Sequence, residues 1–226
     1  MDNLIDQYRQ MHEQEDMFAG FSLMPHIHRI KRLIDQTGAK TILDYGCGKG
    51  KQYEQPIMVG KEEFPSLEAY WGVTVTKYDP GHAPFSAWPA GKFDGVICTD
   101  VLEHSEMPLN AAAIVRGLFD YVSGDGFVFA SISCREAIKH LPDGRNAHTC
   151  IESPEFWRGV FLANELCGVS WKIVCADEQG EYVVANDGLE QTLVIAKQAL
   201  QVKTKNCVPN EEIVEQVRAN QALDLN

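Results

Sequence analysis

The period of the apolar positions changes along the chain and separates two kinds of element. Short, nearly unbroken apolar runs occupy residues 41–44, 72–79, 93–100, 127–133, 170–176 and 191–196. Runs of this length, rich in β-branched residues and bounded by Gly or acidic residues, predict buried strands. Other stretches repeat apolar residues every three or four positions, the period of an amphipathic helix. These are 2–18 (Leu4, Ile5, Tyr8, Met11, Phe18), 21–36 (Ile27, Ile30, Leu33, Ile34) and 108–122 (Ala111, Ile114, Val115, Leu118, Phe119). Gly38 is a natural stop for the second of these and Pro108 a natural start for the third. Ser153-Pro154-Glu155 combines a capping hydroxyl, a proline at the first helical position and an acid in the first turn. It predicts a further helix running to about residue 167.

The intervening segments read as irregular. Pro56, Gly60 and Pro65 interrupt 51–71, which predicts an insertion with short helical pieces. Residues 81–92 hold Pro84 and Pro89 and are too few for a helix and another strand. Residues 134–152 read as a polar loop with a helical piece near 135–141. The stretch 180–188 reads as a hairpin-like segment between the last two strands. Strands alternating with helices, and strands apolar throughout, predict an α/β fold: a mostly parallel, Rossmann-like sheet with helices on both faces and an N-terminal helical extension. The expected division is a helical lid segment over 1–38, a main domain over 39–200 and a polar C-terminal tail over 201–226.

Charge narrows the partners. With 20 basic and 32 acidic residues the net charge is −12, which repels phosphate backbones and disfavours nucleic acid. No run approaches the roughly 20 apolar residues of a membrane span. The start of the chain has neither a basic nor an apolar leader region. Seven cysteines without paired spacing read as reduced thiols, so a cytoplasmic location is expected. No Cys-x-x-Cys occurs, and no structural zinc is expected.

The chemistry concentrates where strands end. Thr41-Ile42-Leu43-Asp44-Tyr45-Gly46-Cys47-Gly48-Lys49-Gly50 is a strand running into an acid and three alternate glycines. Such a turn lets backbone approach a ligand without a Cβ in the way. Tyr78-Asp79-Pro80 ends the second strand, and a carboxylate there accepts two hydrogen bonds side by side. Phe93-Asp94-Gly95-Val96-Ile97-Cys98-Thr99-Asp100 runs into Val101-Leu102-Glu103-His104. Ligands of open parallel sheets bind at these carboxyl ends.

Together these motifs resemble those of the class I S-adenosylmethionine-dependent methyltransferases, over about residues 39–135. The resemblance implies S-adenosylmethionine as cofactor. It implies that Asp44 fixes the loop or the methionine ammonium, that Gly46 and Gly48 flank the methionine end, and that Asp79 holds the ribose. Thr99 and Asp100 would line the methionine side. The family's acid near the adenine amino group has no counterpart in 81–92, where His82, Phe85 and Trp88 stand as alternatives. Methyl transfer to an acceptor that must lose a proton needs a base. His148, in the polar loop facing the substrate mouth, is the leading candidate and His104 the second. Arg135, Lys139 and Arg145 surround that loop as candidate anion contacts. Tyr8, Met17, Phe18 and His26 are candidates for a lid over the pocket. The expected acceptor is a small molecule or sugar-like metabolite.

Three rivals remain open. Asp100, Glu103, His104 and His148 resemble the metal set of the small-RNA 2′-O-methyltransferases, with Asp100 where those enzymes carry Glu. A nicotinamide-dependent oxidoreductase is disfavoured by the glycine spacing. A cofactor-binding protein without catalysis is the third.

Overall fold

The structure, a computed structural model, describes residues 3–15, 17–186 and 191–196. The expected tail over 201–226 lies outside the described residues. Helix α1 (Leu4–His12) precedes α2 (Ile27–Thr37), and the chain then enters strand β1 (Thr41–Tyr45). A small antiparallel hairpin, β2 (Ile57–Val59) and β3 (Glu62–Phe64), is followed by the short helix α3 (Leu67–Trp71). Next come β4 (Thr74–Tyr78), β5 (Phe93–Thr99), α4 (Pro108–Asp120), β6 (Val122–Ser133), α5 (Pro154–Asn164), β7 (Ser170–Ala176), β8 (Glu181–Asn186) and β9 (Gln191–Ala196).

Seven strands form one sheet in the order β4-β1-β5-β6-β7-β8-β9. The pairs from β4 to β7 are parallel, and β8 and β9 return antiparallel. The pleat sends alternate residues to opposite faces, and consecutive apolar residues divide accordingly. Leu43, Val96 and Val128 join Leu118, Trp157 and Phe161 on the α4–α5 face. Ile42, Ile97 and Phe129 join Ile30, Leu33 and Trp71 on the α2–α3 face. Burial on both faces explains why these strands read as unbroken apolar runs. The fold class expected from the sequence is the one found. Among the described residues no helix is long and apolar enough to cross a membrane.

Strand order reverses at β1, which has β4 on one side and β5 on the other. Such a switch point opens a crevice beyond the strand ends. The connection from β4 to β5 passes over β1 with only the three-residue 3₁₀ turn Ala83–Phe85, where a parallel crossover usually carries a helix. In place of a helix, Trp88 stacks on Tyr78 at 5.0 Å and remains 71% exposed.

Three expectations need correction. The insertion at 51–71 contains the β2–β3 hairpin as well as the 3₁₀ turn Lys51–Tyr53 and α3, because Gly60, at φ +65°, makes a tight reversal. No helix forms at 135–141. Gly144 N–H bonds to the Leu141 carbonyl at 2.9 Å, and the turn pairs His140 with Asn146. The hairpin-like segment at 180–188 contains a full strand, β8, between β7 and β9.

Gly117 tests the assignment of α4. It lies inside that helix, and an added Cβ would meet nothing within 4 Å. Gly117→Ala is therefore expected to stabilise the protein by about 0.5–1 kcal/mol, raising the melting temperature by roughly 1–4 °C in a calorimetric scan.

Candidate functional site

The glycine turn after β1 is pinned from below. Gly46 and Cys47 N–H both donate to the Tyr78 carbonyl, at 2.7 and 3.1 Å. Gly46, Gly48 and Gly50 all have positive φ. Gly48 is also required by what lies above it: a Cβ there would fall 2.2 Å from the Phe18 carbonyl oxygen. That oxygen accepts Lys49 N–H at 2.7 Å, and the Ala19 carbonyl accepts Lys51 N–H at 3.1 Å. Lys49 Nζ donates to the Gln14 and Glu15 carbonyls. The segment after α1 is thus laid across the turn. Gly48→Ala meets both the clash and the strained φ, and is expected to lower the melting temperature by several degrees, a loss of roughly 1–3 kcal/mol readable by thermal unfolding.

Asp44 lies beneath the turn, buried, and does not reach the cleft wall. Tyr53 Oη donates to its Oδ2 at 2.8 Å and Gln52 Nε2 at 3.3 Å, while Oδ1 has no partner. Burial pushes its pKa up to about 7 against those two donors. The geometry makes Asp44 a brace for the turn through Gln52 and Tyr53, two residues the motif alone did not flag.

Asp79 stands at the end of β4 and faces the cleft. Its Oδ2 accepts Gly48 N–H at 2.9 Å and its Oδ1 accepts Gly81 N–H at 2.8 Å. Burial acts to raise its pKa, but the neighbouring His12 and the two backbone donors outweigh that and hold the carboxyl below its ordinary value. Each oxygen keeps a lone pair for a further donor.

The cleft holds a cavity of about 200 Å³. Gly46, Gly48, Asp79, Thr99, Asp100 and His104 line it, as do Tyr8, His12 and Phe18 from the N-terminal segment. Asp100 has φ +54°, unusual for a residue with a Cβ, and its Oδ1 accepts Ser131 Oγ–H at 2.8 Å. Desolvation by the surrounding protein raises its pKa against that bond. His26, an expected lid residue, is absent from this wall. It is buried beside Phe129, with ring centroids 5.4 Å apart.

His104 is nearly enclosed. Its Nδ1 lies 2.8 Å from the Ala147 carbonyl oxygen and 3.0 Å from Tyr8 Oη, and Tyr8 Oη–H itself donates to Ala147 at 2.7 Å. A carbonyl only accepts, so Nδ1 carries the proton and Nε2 keeps a lone pair. Burial drives the His104 pKa down to about 4, so the ring is neutral in ordinary buffers. His148 stands behind it, ring edge to face at 5.0 Å, with Nδ1–H donated to the Arg135 carbonyl. His148 does not line the cleft. Of the two candidate histidines, the structure therefore places His104 in the cleft wall and His148 outside it. Glu103 is fully buried: Oε1 accepts Ser133 N–H at 2.8 Å, Oε2 has no partner, and burial raises its pKa well above the usual range. Among the described residues no three His, Cys, Asp or Glu side chains converge to hold a metal ion.

Comparison with known proteins adds the family. A family model described as a methyltransferase domain matches residues 14–174. The chain belongs to the class I S-adenosylmethionine-dependent methyltransferases. Ubiquinone biosynthesis O-methyltransferases of Paraburkholderia xenovorans and Paraburkholderia phytofirmans are each 32% identical to it over 116 residues, covering 45% of this chain and 48% of theirs. The chain therefore spans about half the length of these curated relatives. No solved structure gives a significant match.

The family's methyl donor is S-adenosylmethionine, and the residues present suit it. The cleft offers a glycine backbone cradle and a carboxylate with unused lone pairs. His12 Nδ1, buried and without a partner, stands in the same wall. Asp79 and the glycine turn are the groups that would hold the nucleoside and methionine ends.

Proposed function

We propose that the protein transfers a methyl group from S-adenosylmethionine to a hydroxyl oxygen of a small molecule, with His104 as the base. The observation that carries this is the cleft-lining imidazole whose proton is fixed on Nδ1 by a carbonyl, which leaves Nε2 free to accept. The donor, when bound, supplies a sulfonium methyl that is already activated for displacement, so the protein's work is alignment, desolvation and proton removal. Nε2 of His104 would take the proton of the acceptor hydroxyl, leaving its oxygen as the nucleophile toward the methyl group that the bound donor would supply. Asp79, Gly46 and Gly48 hold the cofactor, Thr99 and Asp100 border the reacting end, and His148 packs His104 from behind.

The lid over 1–38 is part of this reading. Gln7 and Asp143 exchange two hydrogen bonds, at 2.8 and 3.2 Å, and Leu4 and Met11 share a small core with Leu141 and Ala147. Helix α1 and the 134–149 loop therefore act as one cap that excludes water from the acceptor.

The curated relatives' printed name supports an oxygen acceptor. The metal-assisted RNA reading is less favoured, because the acidic net charge opposes RNA and the four candidate ligands do not converge. Incubation with methyl-labelled S-adenosylmethionine and a panel of phenols and sugars should place label in a methyl ether. Label in an RNA 2′-position instead, or in none of the panel and only in amines, would contradict the proposal.

A further inference from the structure

His12 is a group that the proposed methyl transfer leaves unexplained. It is the last residue of α1, and its side chain is only 7% exposed although it forms part of the cleft wall. Its ring is held between Phe18, at 4.7 Å, and His82, stacked at 5.3 Å. Nε2 lies 3.5 Å from Asp79 Oδ1, too long for a strong hydrogen bond, and Nδ1 is buried with no partner. Nε2 therefore stands beside the Asp79 carboxylate, within reach of a ligand atom that Asp79 holds.

His12 has no easy way out of the cleft. The opposite faces of α1 are tied down by the Gln7–Asp143 pair, by Tyr8 on Ala147, and by Leu4 and Met11 in the cap core. Gly81 lies beneath the ring, where a Cβ would fall 2.9 Å from His12 Cδ2. A ligand that binds Asp79 therefore meets His12 in the same place.

The chemistry of that place fits a vicinal diol. Asp79 already accepts two backbone N–H groups, and its remaining lone pairs accept from two hydroxyls. Those hydroxyl oxygens then need a donor of their own, which a carboxylate cannot provide and an imidazole N–H can.

We propose that His12 is a second ribose-recognising residue, bonding one of the two ribose hydroxyls of the nucleoside that Asp79 holds. The proposal rests on the cofactor reading above and extends it to a residue outside the glycine and acid motifs. It gives the N-terminal helix a direct part in cofactor affinity as well as in covering the acceptor.

Calorimetric titration of the full chain tests it without any acceptor. The probes are S-adenosylhomocysteine and its 2′-deoxy and 3′-deoxy analogues, against wild type, His12→Ala and His12→Gln, each with a confirmed cooperative melt. The expected result is an approximately tenfold weaker S-adenosylhomocysteine affinity in His12→Ala, the worth of one hydrogen bond. His12→Gln, which keeps a donor, should recover part of it. One deoxy analogue should bind wild type and His12→Ala equally. Unchanged or tighter binding by His12→Ala would overturn the proposal, the latter showing that His12 competes with the ribose for Asp79. Equal weakening toward all three ligands would also overturn it, since the contact would not be with a ribose hydroxyl. Failure of wild type to bind S-adenosylhomocysteine is a separate result, which removes the cofactor reading and this inference with it.

Discussion

Asp79→Ala is expected to lose at least about a hundredfold in S-adenosylhomocysteine affinity, read by calorimetry at neutral pH. In the proposed ribose contact the carboxylate would accept two charge-assisted bonds, worth roughly 1.5–3 kcal/mol each, and both would be lost with it. The turn also loosens, because Gly48 and Gly81 N–H lose their shared acceptor. Asp79→Asn separates the two effects. An amide keeps the shape and one carbonyl acceptor but loses the charge, so it should hold the fold better than alanine while still binding weakly. The pKa direction gives a further check. The folded carboxyl titrates below its ordinary value of 3.8, so its stabilising contribution is present above that value and is lost as pH falls through the lowered one. Wild type should therefore lose more stability than Asp79→Asn on moving from pH 5 into strongly acidic buffer.

The second large effect is expected at His104. His104→Gln should lower kcat by about 10²–10⁴-fold with the acceptor identified by the label screen, with S-adenosylhomocysteine affinity within about twofold of wild type. A loss of that size in both quantities together would assign His104 to cofactor binding instead. The pH profile follows from the same burial. With its pKa driven down to about 4, His104 is deprotonated across ordinary buffers, and its contribution to kcat should be flat from about pH 5 upward and fall below it. Stability has the matching sign. The unfolded chain takes up this proton near pH 6.5 and the folded chain only near 4, so stability falls as pH drops through that window. His26, with a pKa also lowered to about 4 by burial and Arg29, adds to the same trend. Urea unfolding at pH 7 and pH 5 should show a smaller loss in His104→Gln than in wild type.

How much of this was legible in the sequence follows from where each contact is made. Strands such as β1 and β5 are buried on both faces by helices, so each wrote itself as a continuous apolar run. The switch point, the glycine turn and Asp79 are local to strand ends, and their motifs sit in a few consecutive residues. The β2–β3 hairpin and β8 were less visible. The hairpin strands are three residues each with little burial, and β8 is defined by the partners on either side of it. The site residues divide in the same way. Thr99, Asp100 and His104 are adjacent to a strand end and line the cleft, so the sequence could place them. Tyr53 and Gln52 matter only because the turn folds them over Asp44. His12 matters only because α1 docks on the 134–149 loop and brings it to Asp79. The sequence places His148 ahead of His104, whereas His104 is the ring in the cleft wall: the sequence shows which histidines lie in loops, and only packing shows which ring reaches the cleft.

The measurement closest to the central claim is a titration of the purified wild-type protein with S-adenosylmethionine and S-adenosylhomocysteine, with NAD⁺ as control. The account predicts saturable one-to-one binding of both sulfur ligands, tighter than about 1 mM, and no binding of NAD⁺. Binding of NAD⁺ in preference to either sulfur ligand, or of none of the three, would contradict it.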